Sequence, residues 1–164
     1  MRPLMHEPYP AGDLQLDRPA FIPKDSGNSP LELNRRRLRD IYHSGCLFNC
    51  HIPWLNFHFD DSGILHGVFT CNESGQGYDN MVHGGVIAAI IDASMAQCLM
   101  GHGIVGYTTD LSIKYRKPVL IDTKTELKTS IEEVNIGVLY SMKCEILQSR
   151  KLVAHATGRF YKTK

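Results

Sequence analysis

The stretch His83-Gly84-Gly85-Val86-Ile87-Ala88-Ala89-Ile90-Ile91-Asp92-Ala93-Ser94-Met95-Ala96-Gln97-Cys98-Leu99-Met100 decides the fold. Ile87, Ile90, Ile91, Met95 and Cys98 recur at helical spacing, so the stretch reads as one long helix. Apolar residues continue round most of its circumference, which predicts burial on most sides. The run is too short and too interrupted to span a membrane. One charge interrupts it, Asp92. A carboxylate inside a buried helix is costly unless it is paired, hydrogen-bonded or used in chemistry. Gly85, Ala89, Asp92 and Ala96 fall at i, i+4, i+7 and i+11 and share a face on which every other member is small. That stripe leaves room beside the carboxylate for another backbone or a thin ligand. Close packing of the helix on a sheet, with Asp92 bonded to a neighbouring backbone, is the plainer account of the same residues.

The start of the helix carries a second signal. Gly84-Gly85 has no side chains to shield the first N–H groups, and a helix N-terminus offers unpaired donors with a partial positive charge. Such a place suits an anion, or a carbonyl oxygen that becomes one in a transition state. Two glycines also simply permit a tight opening turn. Gly84 and Asp92 stand eight residues apart, roughly 12 Å along a helix axis. A reacting carbonyl needs its oxyanion donor and its base or nucleophile each within about 3 Å. One helix cannot supply both to one substrate. Two antiparallel copies can, so an active site built on these residues is expected across a two-fold dimer interface.

The length, 164 residues, fits one domain with a short extension. A net charge of +1 gives no sign of a nucleic-acid protein. With no long apolar run and no signal-peptide pattern at the N-terminus, the chain is expected to be soluble and cytoplasmic, without a membrane partner. Five cysteines, an odd number in a chain of this size, favour reduced thiols.

Along the chain, residues 1–45 form an N-terminal Pro-rich arm and a short helix. Pro3, Pro8, Pro10, Pro19, Pro23 and Pro30 recur, with Gly12 and Gly27 between them, and predict an extended, partly disordered segment that drapes over a partner subunit. Ser29-Pro30 opens a helix running to about His43. Leu31, Leu38 and Ile41 are expected to dock it, with Arg35, Arg36, Arg37 and Arg39 facing water. The run Cys46-x3-Cys50-His51 suggests zinc, but no second ligand pair stands out, so no metal is expected. Residues 46–164 form the main domain. Residues 54–59 and 64–71 read as a hairpin turning at Asp60-Asp61-Ser62-Gly63. Residues 72–82 read as a polar loop feeding the helix, and Gly101-His102-Gly103 ends the helix. Strands follow over 105–119, 123–134, 138–147 and 152–161. Within them, Thr125, Leu127 and Thr129 share a face, as do Tyr140, Met142, Cys144 and Ile146, and as do Ala154, Ala156 and Gly158. One long helix against about six antiparallel strands is a two-layer α+β domain, in which a single sheet curls round the helix.

The motif His83-Gly84-Gly85, six residues, then Asp92, followed by Thr108-Thr109-Asp110-Leu111-Ser112-Ile113-Lys114-Tyr115-Arg116-Lys117-Pro118, resembles the PaaI-like acyl-CoA thioesterases of the hot-dog fold. The resemblance covers about residues 50–162. It implies a curved antiparallel sheet wrapped round one central helix, and hydrolysis of an acyl-CoA to a free acid and CoA without a cofactor. By the same resemblance Asp92 is the catalytic carboxylate, as nucleophile or general base. Gly84 supplies the backbone N–H that polarises the thioester carbonyl, from the partner subunit. Thr108 helps position the attacking water, and His83 shapes the loop and contacts substrate. The family works as homodimers, often paired into tetramers. Many members carry Asn where Gly77 stands; Gln76 beside it has an amide to offer. Gln76, Gly77, Gly85 and Thr109 are candidate substrate contacts. Lys114, Arg116 and Lys117 are candidates to hold CoA phosphates, or are plain strand-end charges.

Two other readings share the fold. A hot-dog dehydratase or hydratase needs a His paired with an acid at a different helix spacing, and no such pair is seen. A non-catalytic acyl-CoA-binding protein would keep the pocket and lose the carboxylate, against which Asp92 argues. A DNA-binding regulator would need a complete helix-turn-helix, and residues 1–45 hold one helix at most.

Overall fold

The structure is a computed structural model, and it describes residues 29–46 and 55–163. The proline-rich arm, Trp54, and the Cys50-His51 end of the candidate zinc run lie outside the described residues. The elements in order are α1 (Pro30–Tyr42), β1 (Asn56–Phe59), β2 (Leu65–Phe69), a 3-10 turn (Glu73–Gly75), β3 (Gln76–Tyr78), β4 (Met81–Val82), α2 (Gly84–Gly101), β5 (Gly106–Tyr115), β6 (Thr125–Asn135), β7 (Leu139–Gln148) and β8 (Lys151–Lys162). The main sheet has six strands in the order β1-β2-β6-β7-β8-β5, antiparallel throughout. This is the hot-dog arrangement that the sequence implies: one long helix packed on a single antiparallel sheet.

The core follows from the two periodicities. Ile87, Ile90, Ile91, Met95 and Cys98 are each at most 2 % exposed. Burying such side chains is worth about 1.5–3 kcal/mol each. They meet the inward residues of the strands: Leu127 on β6, Met142, Cys144 and Ile146 on β7, and Ala154, Ala156 and Phe160 on β8. Two hairpins fix the register of β6, β7 and β8 through a three-residue turn with left-handed backbone at Ile136 and Gly137 and a two-residue turn with left-handed backbone at Ser149 and Arg150. Such turns match the natural twist of paired strands. Ile136, a β-branched residue held at φ 55°, is the less comfortable of the four.

Three expectations need correction. Residues 72–82 are not a plain loop. They form the 3-10 turn and the small β3–β4 ribbon, which the polar, glycine-rich composition conceals. Arg35 does not face water, and Ile41 does not dock α1. Ile41 is exposed, while Glu32 and Arg35 are buried. Arg35 donates to Glu32 Oε2 from Nε (3.1 Å) and from Nη2 (2.7 Å), and to Gln97 Oε1 of α2 (3.2 Å). Glu32 Oε1 accepts the Phe59 N–H at 3.0 Å. The charges are spent on fastening α1 to α2 and β1, not on a solvated face. Ser29 caps α1, accepting the Glu32 N–H.

Candidate active site

Asp92 lies midway along α2 and is half-buried, as are Ala89 and Ala96 beside it; Gly85 is exposed. The helix is therefore enclosed on its isoleucine face and open along the small-residue stripe. The Thr108 hydroxyl donates to Asp92 Oδ1 at 2.7 Å. That bond orients the carboxylate. Asp92 is thus held by a side chain, not by the neighbouring backbone of the plainer account.

A β-bulge explains how Thr108 reaches it. Among the described residues β5 is the terminal strand of the sheet and pairs only with β8, with a register shift between Thr108 and Asp110. Thr108 lies opposite Phe160, Leu111 opposite Gly158, Ile113 opposite Ala156 and Tyr115 opposite Ala154. All four partners are buried, so all four β5 residues face inward. In an unbulged strand of the same sequence Thr108 would point away from Leu111, because sides alternate. Thr109 is the extra residue, and its hydroxyl donates to the Arg159 carbonyl at 3.0 Å. It serves the bulge and not the carboxylate.

The start of α2 is built from His83, Gly84 and Gly85. His83 is the N-cap, its Nδ1 accepting the Gly85 N–H at 2.9 Å. With Nδ1 as acceptor, the neutral ring carries its proton on Nε2. The His83 carbonyl accepts the Val86 and Ile87 N–H groups at 3.0 and 3.2 Å. Among the described residues no acceptor takes the Gly84 N–H. The helix start thus offers one free donor. Gly77 lies under this turn: a Cβ there would stand 2.9 Å from His83 Cα, so a larger residue would push the cap out of place. Gln76 Oε1 accepts the Asn80 N–H at 3.2 Å, leaving its NH2 group free to donate.

The charged candidates fall elsewhere. Lys114 lies opposite His155, and Arg116 donates from Nε to His155 Nδ1 at 3.1 Å. His155 sits between the buried Ala154 and Ala156 in β8, so this cluster occupies the outer face of the sheet, away from Asp92. Lys117 is exposed. Two groups outside the sequence-derived candidates interact with these residues. The Tyr115 hydroxyl donates to the Gly84 carbonyl at 2.8 Å, and burial pushes its phenol above the ordinary value. His43, at the end of α1, is held below its ordinary value by burial, with the Asp92 charge pulling it back up. Neither carries a local sequence signal, because each reaches the site through packing across many residues.

The chain is similar to several known proteins. The thioesterase-superfamily sequence model matches residues 79–136. The acyl-coenzyme A thioesterase THEM4 of Mus musculus is 31 % identical over 88 residues, which is 53 % of this chain and 38 % of the relative. The Rattus norvegicus protein of the same name is 33 % identical over 89 residues. The chain thus spans well under half the length of these relatives. Among solved structures, the E. coli PaaI protein of the phenylacetic acid degradation operon superposes with a TM-score of 0.69 at 13 % identity, covering 82 % of this chain and 94 % of that one. A hypothetical thioesterase of Streptococcus pneumoniae TIGR4, solved with coenzyme A, gives a TM-score of 0.64 at 19 % identity, covering 68 % and 90 %.

Proposed function

We propose that the chain is an acyl-CoA thioesterase with Asp92 as its catalytic carboxylate, a reading supported by its hot-dog fold and by the match of residues 79–136 to the thioesterase-superfamily model. The observation that carries this reading is the Thr108–Asp92 bond of 2.7 Å on a half-buried carboxylate that opens onto a stripe of small residues. In the proposed reaction the Asp92 carboxylate takes a proton from water, or attacks the thioester carbonyl itself. The carbonyl electrons move onto oxygen, where the Gly84 N–H receives them. In the base route the water oxygen forms the new C–O bond, collapse breaks the C–S bond, and the proton held by Asp92 passes to the leaving sulfur, giving the free acid and CoA thiol. In the nucleophile route collapse leaves a mixed anhydride on Asp92, and a water molecule then hydrolyses it. The oxygen and one proton of that water go to the free acid, its other proton goes to the CoA sulfur, and Asp92 returns to its carboxylate. Thioesters are activated electrophiles, so a positioned carboxylate and one good donor suffice in outline.

The site is proposed to be shared. Gly84 and Asp92 are roughly 12 Å apart along α2, so the donor comes from a second copy, and the enzyme is a homodimer that pairs further into a tetramer. The edge of β5, ten residues long and unpaired among the described residues, supports this, since long unpaired edges are places where chains associate. We place the protein in the cytoplasm on its odd cysteine count. The experiment is release of CoA thiol from a panel of acyl-CoAs, with Asp92→Asn in parallel. Loss of a general base typically costs about 10²–10⁴ in rate, and a loss of that order is expected in kcat. An Asp92→Asn enzyme that turns over like wild type would sink the reading.

A further inference from the structure

Gly84 sits between two peptide units, and both are held. The His83–Gly84 unit is fixed through its carbonyl, which accepts from Val86 and Ile87. The Gly84–Gly85 unit is gripped at both ends: its N–H by His83 Nδ1 at 2.9 Å and its carbonyl by the Tyr115 hydroxyl at 2.8 Å. Two successive glycines otherwise have wide backbone freedom. The Tyr115 ring lies alongside, 3.6 Å from where a Gly84 Cβ would stand. Gly84 is the first residue of α2, so its carbonyl already has a helical N–H one turn on and does not need a tyrosine for satisfaction. What the tyrosine adds is direction. With both flanking units fixed, the free Gly84 N–H has one orientation, opposite to the His83 carbonyl and outward from the helix start.

We propose that Tyr115 is a positioning residue, whose hydroxyl locks the Gly84–Gly85 peptide and so keeps the Gly84 N–H aimed as the oxyanion donor. The inference rests on the role given to Gly84 above. Tyr115 touches no reacting atom; it acts through the backbone it holds. A preorganised donor stabilises developing charge because it need not reorient during the reaction. Releasing the peptide should therefore lower kcat more than it weakens binding.

The test is Tyr115→Phe, which keeps the ring and removes only the hydroxyl. We expect kcat to fall on the order of 10-fold with KM within about twofold, the pattern of lost orientation. We also expect the Gly85 amide to exchange with solvent faster by NMR. An unchanged kcat, a loss confined to KM, or an unchanged Gly85 exchange rate overturns the proposal. If the wild-type protein hydrolyses no thioester, the reading of Gly84 as a catalytic donor fails. The Gly85 exchange rate then still decides whether Tyr115 locks the peptide.

Discussion

Replacing Arg35 by Met leaves a buried negative charge without its partner. Glu32 is 1 % exposed. Its Oε2 receives two charge-assisted hydrogen bonds from Arg35, at 3.1 and 2.7 Å, and each such bond contributes about 1.5–3 kcal/mol. The remaining cation nearby, Arg36 Nε, lies 3.8 Å away on a half-exposed side chain and offsets little. Met keeps most of the apolar stem, so packing is nearly conserved. Breaking a buried pair on one side costs about 3–5 kcal/mol. For a chain of this size that corresponds to a fall in Tm on the order of 10 °C. Urea titration and thermal melts followed by circular dichroism measure it. The double variant Glu32→Gln with Arg35→Met removes the stranded charge while the Gln oxygen still accepts the Phe59 N–H, and it should recover most of the loss. The reasoning is refuted if Arg35→Met stays within about 1 kcal/mol of wild type, or if the double variant is no more stable than the single one.

Three further outcomes are expected. Thr108→Val removes the hydroxyl that orients Asp92 while leaving an exposed position of similar shape; kcat in the CoA-release assay should fall on the order of 10-fold or more with the melting curve unchanged, and a kcat equal to wild type would remove Thr108 from the site. Burial would raise the Asp60 carboxyl, but hydrogen bonds from His66 and from the Ile64 and Ser62 N–H groups outweigh it and hold the group below its ordinary 3.8. A depressed folded-state value gives stability that is present above the ordinary value and lost as pH falls through the depressed one. The gap in urea midpoint between wild type and Asp60→Asn should therefore close as pH is lowered from 5 towards 2, and a constant gap would contradict the assignment. Burial pushes the Cys98 thiol up to about 12, and only the thiolate is reactive. Iodoacetamide at pH 8 should leave Cys98 unlabelled in the folded protein and label it in urea; labelling of the folded protein as fast as the half-buried Cys46 would show that the core opens readily.

The parts legible in the sequence are those governed by a single repeating period. The isoleucine face of α2 and the alternation in β6, β7 and β8 each follow from local geometry, and the structure places them as the spacing requires. Asp92 and Gly84 were legible because a charge and a glycine pair interrupt an otherwise uniform pattern. What could not be read depends on distant partners. Glu32 and Arg35 look like a solvated helix face until Gln97 and the Phe59 N–H are brought against them. The role of Tyr115 requires the end of β5 to meet the start of α2. Thr108 entered through family resemblance alone, since the bulge that turns it inward is a property of strand pairing and leaves no mark in composition. Lys114 and Arg116 show the converse: their charge was legible, but not that alternation carries them to the outer face.

The bulge at Thr109 also governs how this strand can be aligned and altered. On either side of it the inward positions are out of phase by one residue, so no single alternating frame describes β5. A relative one residue shorter here aligns correctly with its gap at 109: Thr108 then still lies opposite Phe160, Asp110 still lies opposite Arg159, and the ladder becomes regular. A gap placed near either end of the strand would instead exchange inward and outward residues along part of its length. Position 109 is thus where the length of β5 can change while the hydroxyl stays over the carboxylate.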